Sequence, residues 1–181
     1  MITFSDTFNP ADVLFDKNGG ACLGTNGVTD SVSGAVSGKC DSLVFTQLLD
    51  GFNPATDTLS SGSLTLTFHD NNAHPAAEKF NYVVDLLTGF ETVTSGGSPL
   101  VWSLDVLSQL ANGQITVTLS TKAGDFIFDS AVLTAGGDRI VVTPPVDETE
   151  TQVPEPALTL LFGVVALAGA ARMRRRKQDA V

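Results

Sequence analysis

Apolar and polar residues alternate with a period of two along most of this chain. In one run Leu64, Leu66 and Phe68 are separated by threonines. The clearest runs lie at residues 64–68, 80–84, 102–106, 115–119 and 126–128. Because neighbouring side chains of a strand point to opposite faces, this alternation predicts strands that are buried on one face only. Their content of Thr, Val and Phe also favours a pleated sheet.

Weaker patterns predict further strands at residues 2–8, 13–16, 43–49 and 139–142. Gly, Asn, Asp and Ser fill the intervals, and the glycine pairs at 19–20, 96–97 and 136–137 are interpreted as turns. Val106–Leu110 has room for one helical turn. The sequence therefore predicts an all-β domain over residues 1–143, an antiparallel β-sandwich of about seven to nine strands.

The end of the chain has a different character. Residues 144–152 are rich in acidic residues and begin with Pro144 and Pro145, which predicts an extended linker. Ala157 to Ala171 is charge-free, and as a helix it would span roughly 22 Å at about 1.5 Å per residue. Five cations then follow, namely Arg172, Arg174, Arg175, Arg176 and Lys177. This order predicts a short transmembrane helix with a basic cytoplasmic tail, although an ordinary tail anchor and a buried helix of a soluble domain remain alternatives.

The residues Val153-Pro154-Glu155-Pro156, the apolar run and the basic cluster together resemble the PEP-CTERM sorting signal of bacterial surface proteins. The resemblance covers residues 153 to about 177 of a predicted signal region at 153–181, and it implies recognition by an exosortase-type membrane transpeptidase. It also implies that the chain spans the inner membrane transiently, that helix 157–171 and the basic tail are removed, and that the body reaches the cell surface or the extracellular matrix of a biofilm. In that case the motif is recognised by the enzyme and does not itself catalyse.

Residues 45–59, the strand at 63–68 and residues 124–133 are similar to the extracellular β-sandwich domains often found on PEP-CTERM proteins. This second resemblance implies a structural or adhesive role and no reaction. An exported chain is expected to begin with a basic and then an apolar segment, and residues 1–6 have neither. A start placed too late, a truncated gene and export through the C-terminal helix alone would each account for that difference, and we favour the first.

Charge divides the chain unevenly. Met1 to Pro156 carries five basic and 19 acidic residues, a net charge of −14, whereas Ala157 to Val181 has a net charge of +4. A body this acidic repels nucleic acid and anionic lipid. The two cysteines, Cys22 and Cys40, are expected to form a disulfide in an oxidising compartment.

A loop beginning at Asp50 is the strongest candidate for a ligand site. Asp50, Asn53 and Asp57 offer the oxygen ligands that calcium prefers, but the same residues are common in turns that bind no ion. His69 and His74 have no third ligand nearby in sequence and are not expected to hold a metal. The alternative function is thus a calcium-dependent module that binds carbohydrate, such as an extracellular polysaccharide, or protein. A polysaccharide hydrolase is a weaker alternative, since no catalytic motif is present and we expect no enzyme.

Overall fold

The computed structural model describes residues 1–70, 78–93 and 99–141, and Met1–Val141 form one compact unit. The strands of the described part are β1 (Ile2–Phe8), β2 (Val13–Thr25), β3 (Ser31–Ser33), β4 (Lys39–Leu48), β5 (Asp57–Asp70), β6 (Glu78–Val84), β7 (Leu87–Val93), β8 (Leu100–Asp105), β9 (Gln114–Ala123) and β10 (Asp125–Arg139). A single 3-10 turn, Leu107–Gln109, is the only helical element among these residues. The all-β prediction is confirmed. The predicted linker and C-terminal helix lie outside the described residues.

The strands form one hydrogen-bonded sheet that is folded into two facing layers. Its order is β7-β6-β9-β4-β2-β10-β5-β8, with β1 added to β10 and β3 added to β2. Rings from strands that are distant in this order nevertheless pack together. Tyr82 of β6 lies 4.6 Å from Trp102 of β8 between ring centroids, and Phe8 of β1 lies 4.6 Å from Phe45 of β4. These contacts place the core between the layers, as in a β-sandwich.

One pair of strands departs from the antiparallel prediction. β2 and β4 are parallel, whereas each other described pair is antiparallel. A parallel pair needs a crossover long enough to return the chain to the same end, and residues 26–38, which include β3, supply it. The sequence pattern did not reveal this crossover because β3 is only three residues long.

The alternating residues fill the core as predicted. Leu64, Leu66 and Phe68 of β5 are fully buried, while the threonines between them are partly exposed. Phenylalanine dominates the interior. The fully buried rings are Phe8, Phe15, Phe45, Phe68, Phe80, Phe126 and Phe128. Burying such a side chain contributes roughly 1.5–3 kcal/mol, so these rings supply much of the stability of the domain.

Three local predictions were wrong. Gly19 and Gly20 lie inside β2, not in a turn, and a Cβ on Gly19 would collide with the backbone of Cys40. The pair at 136–137 likewise lies inside β10. The separate strand predicted at 139–142 is absent from the described residues, because β10 ends at Arg139. In the first two cases glycine permits close backbone approach, a use that sequence alone does not distinguish from a turn.

Candidate functional site

The loop before β5 is fixed by an ion pair with the end of β10. Arg139 donates through Nε to Asp57 Oδ1 at 2.6 Å and through Nη2 to Oδ2 at 2.7 Å. The same guanidinium donates to the Gly51 carbonyl at 2.8 Å, and the Asn53 amide donates to Asp57 Oδ2 at 2.8 Å. The Arg139 hydrogen bonds are the main cause that holds the pKa of Asp57 well below its ordinary range. The Asp57 carboxylate is therefore a buried anchor that closes this loop.

The three predicted calcium ligands have separate environments. Asn53 Oδ1 accepts the Ala55 amide at 3.0 Å, as in an Asx turn. Both oxygens of Asp57 are bound by Arg139, so an ion would compete with a bidentate guanidinium. Asp50 is exposed and lines a different surface from Asp57. Calcium at these residues stays a prediction.

Asp50 lines an open groove of about 690 Å³ between β2, β4 and the start of β9. The polar side chains of this groove are Asp6, Thr25, Asn26, Thr46, Asp50 and Gln114. Asp6 is held in place, since its Oδ2 accepts the Asn26 side-chain amide at 2.6 Å and the Leu48 backbone amide at 2.8 Å. The groove thus presents a fixed carboxylate and several amide and hydroxyl groups to solvent.

The predicted disulfide is confirmed. Cys22 of β2 and Cys40 of β4 are bonded, with their Cα atoms 5.8 Å apart. Both side chains are buried in the core. The bond links the two parallel strands, and in the unfolded chain it would close a loop of 18 residues.

A buried carboxyl at the start of β6 was not identified from the sequence. Glu78 is only 3% exposed, and its Oε2 has no hydrogen-bond partner among the described residues. Burial, followed by the negative charge of Asp70, raises the pKa of Glu78 to about 7. The alternation of β6 could have revealed this buried carboxyl. Glu78 is two residues from the buried Phe80, so both side chains point to the same face of the strand.

A second cluster was also missed. The side chains of Asp12, His69 and Asp129 converge, with one ligand-type atom from each lying within 4.8 Å of the others. His69 Nδ1 lies 2.7 Å from Asp129 Oδ1. The sequence does not reveal this cluster, because the three residues lie far apart along the chain.

The predicted sorting residues, Val153–Pro156 and the basic cluster that begins at Arg172, lie outside the described residues. In sequence, residues 152–176 match the family model of the PEP-CTERM protein-sorting motif. The chain carries a PEP-CTERM sorting signal. The signal implies that this is an exported protein sorted by an exosortase. Within the described residues, no helix is both long enough and apolar enough to cross a membrane.

Similarity to known proteins beyond this PEP-CTERM signal is weak. No curated protein sequence matched the chain. Among solved structures, the CBM36-1 domain of a multidomain xylanase from the hindgut metagenome of Trinervitermes trinervoides is similar at 18% identity and a TM-score of 0.40, covering 77% of this chain and all of that one. CBM35 from Cellvibrio japonicus Abf62 is similar at 12% identity and a TM-score of 0.37, covering 72% of this chain and all of that one.

The third structure contains the CBM22-1 and GH10 modules of Clostridium thermocellum xylanase 10B, in complex with xylohexaose. It is similar at 13% identity and a TM-score of 0.34, over 80% of this chain and 30% of that one. Similarity at this level carries no functional conclusion for the PEP-CTERM chain.

Proposed function

We propose that this chain is a structural or adhesive protein of the cell surface or extracellular matrix, delivered there by exosortase processing. The observation that carries the proposal is the sorting motif at residues 152–176. An apolar segment and five cations complete the signal, and they would hold the precursor in the inner membrane with its tail in the cytoplasm. We infer no catalytic activity for the body.

Two properties of the body support an extracellular destination. The Cys22–Cys40 bond is buried between β2 and β4, and such bonds persist in oxidising compartments. The body also carries a large negative charge, which favours solubility and discourages binding to nucleic acid or anionic lipid.

Intact mass of the protein recovered from the native cell surface tests the sorting step. The expected mass is that of a chain that ends near Pro156 and lacks the apolar segment. Replacing Pro154-Glu155-Pro156 by three alanines is expected to leave the tail attached. The matched control replaces Pro144 and Pro145 in the linker and is expected to be processed normally. A surface-exposed wild-type chain that retains Arg172 would contradict the proposal.

The polar groove favours a second candidate, a calcium-dependent module that binds carbohydrate or protein. Asp6, Asn26 and Gln114 can hydrogen-bond to sugar hydroxyls, and Asp50 is both a groove residue and a predicted calcium ligand. Co-sedimentation with insoluble extracellular polysaccharide, in calcium and after chelation, tests this candidate. Asp50→Ala is expected to reduce binding, with Glu91→Gln as a control that does not line the groove. If no wild-type chain sediments with the polysaccharide in calcium, carbohydrate binding is excluded.

A further inference from the structure

A β-bulge presents Asp129 on the outer face of β10. The register of β10 against β5 shifts between Phe128 and Ser130. The buried side chains are Phe126 and Phe128 before the shift, and Ala131 and Leu133 after it. The inward-facing parity therefore changes at Asp129, which is the extra residue of the bulge. Its carboxylate consequently points away from the core and is partly exposed.

Two further side chains meet Asp129 there. His69 of β5 follows the buried Phe68, which pairs with Phe128, so His69 also faces outward. Asp12 comes from the segment between β1 and β2, which both pair with β10 on the same edge. The bulge opens opposite the gap between those two strands. Three segments that are distant in sequence are thereby brought to one point.

The donor atoms of this cluster suit a metal ion. It combines one imidazole nitrogen with two carboxylates, and no lysine or arginine among the described residues pairs with either carboxylate. Asp12 makes no hydrogen bond or ion pair in that part of the chain, so its charge has no other compensation. Mixed imidazole and carboxylate ligands suit zinc and related first-row ions better than calcium, which prefers oxygen alone.

We propose that Asp12, His69 and Asp129 bind a divalent first-row transition ion of the zinc type. Zinc ligands lie about 2.0–2.2 Å from the ion, so two of them are at most about 4.4 Å apart. The present spread, within 4.8 Å, closes to that value by rotation of the exposed Asp12 side chain. The ion would lie between His69 Nδ1 and Asp129 Oδ1, which are now 2.7 Å apart.

Such an ion would fasten the connection between β1 and β2 to the centre of the β10 layer. A ligand that binds the folded chain and not the unfolded chain raises stability in proportion to the logarithm of its concentration. The site shares no residue with the disulfide or with the sorting signal. It therefore supplies an additional means by which the domain could be stabilised outside the cell.

Calorimetric titration of the chelator-treated, full-length chain in detergent with zinc chloride tests the proposal. We expect one ion bound per chain. Since loss of a group that only supports a metal ligand costs 10–100-fold in affinity, we expect His69→Ala or Asp12→Asn, which remove direct ligands, to weaken binding by more than about 100-fold. His74→Ala removes the other histidine of the chain and is expected to leave the affinity unchanged.

Two results would overturn the proposal. One is the absence of zinc binding to the wild-type chain at millimolar zinc, which would leave His69 and Asp129 as a side-chain contact without a metal. The other is unchanged affinity in both ligand variants. Asp12 is exposed and unbonded within the described residues, so its asparagine variant keeps the fold and preserves the test if His69→Ala unfolds the chain. Circular dichroism of each variant checks that condition.

Discussion

Replacing Glu78 by glutamine is expected to change the pH dependence of stability. The carboxyl is buried at the start of β6, and within the part of the chain that the structure describes its Oε2 has no hydrogen-bond partner. Removal from water is the main cause of its raised pKa, and the negative charges of Asp70 on β5 and Asp125 on β10 add to it. Glutamine has a similar shape and cannot ionise, so it removes the charge without opening a cavity.

The magnitude follows from the two pKa values. The ordinary pKa of the carboxyl is 4.5, and in the folded chain it rises to about 7. The folded state therefore holds the proton more tightly than the unfolded state. The contribution of Glu78 to stability is complete below pH 4.5 and is lost as the pH rises through 7. At about 1.4 kcal/mol per pKa unit, the loss between about pH 5 and pH 8 is about 2–3 kcal/mol.

Urea denaturation of the wild type and of Glu78→Gln at both pH values measures this loss. The other titrating groups are shared by the two proteins, so their effects cancel in the difference. The free energy of unfolding of the wild type, relative to the variant, is expected to fall by about 2–3 kcal/mol between about pH 5 and pH 8. Glu91→Gln on β7, where the side chain is partly exposed, should follow the wild-type curve. Parallel curves for the wild type and Glu78→Gln would refute the reasoning.

Three further predictions concern the disulfide, the Arg139–Asp57 ion pair and a buried ring of the core. Replacing Cys22 and Cys40 by serine should lower the free energy of unfolding in urea by about 3 kcal/mol, and equal stability of reduced wild type and oxidised wild type would contradict this. Arg139→Met should lower the urea midpoint at neutral pH, because Asp57 then lies buried without its cation. In the wild type, the lowered pKa of Asp57 stabilises the fold above its ordinary value of 3.8, and this stabilisation is lost as the pH falls further. Without Arg139 this acid-induced loss should be smaller. An unchanged acid transition would contradict the prediction. Phe68→Ala should cost about 3–5 kcal/mol in the same assay, and a loss below about 1 kcal/mol would show that the ring is not packed as described.

The sequence predicted the layers of the fold better than its sites. The buried positions of β5, β6, β9 and the first part of β10 follow directly from period-two alternation, because one face of each strand must leave water. The disulfide followed from there being only two cysteines. The parallel pairing of β2 with β4 could not be predicted, since it depends on which strand ends meet in three dimensions.

The candidate sites depend on just that kind of information. Asp12, His69 and Asp129 meet only because a bulge reverses the parity of β10 beside a gap between β1 and β2. The Arg139–Asp57 pair could not be predicted for a similar reason. Arg139 is far from Asp57 in the sequence, and the pattern places Asp57 in a loop and Arg139 in a separate strand. Glu78 could have been identified, since its parity with Phe80 placed an acid on the inward face.

If the chain were attached through its C-terminal end, the position of β10 would have a mechanical consequence. The chain leaves the domain at the end of β10, a strand that pairs with β5 along its length and with β1 and β2 on its other edge. A force applied at the C-terminal end would act along this strand, perpendicular to its hydrogen bonds. The bonds on both edges would then be loaded together, in shear, and the Arg139–Asp57 ion pair stands at the loaded end. A pulling force would thus act first on the strand that is hydrogen-bonded along both edges. A peripheral hairpin such as β6–β7 would carry little of this force.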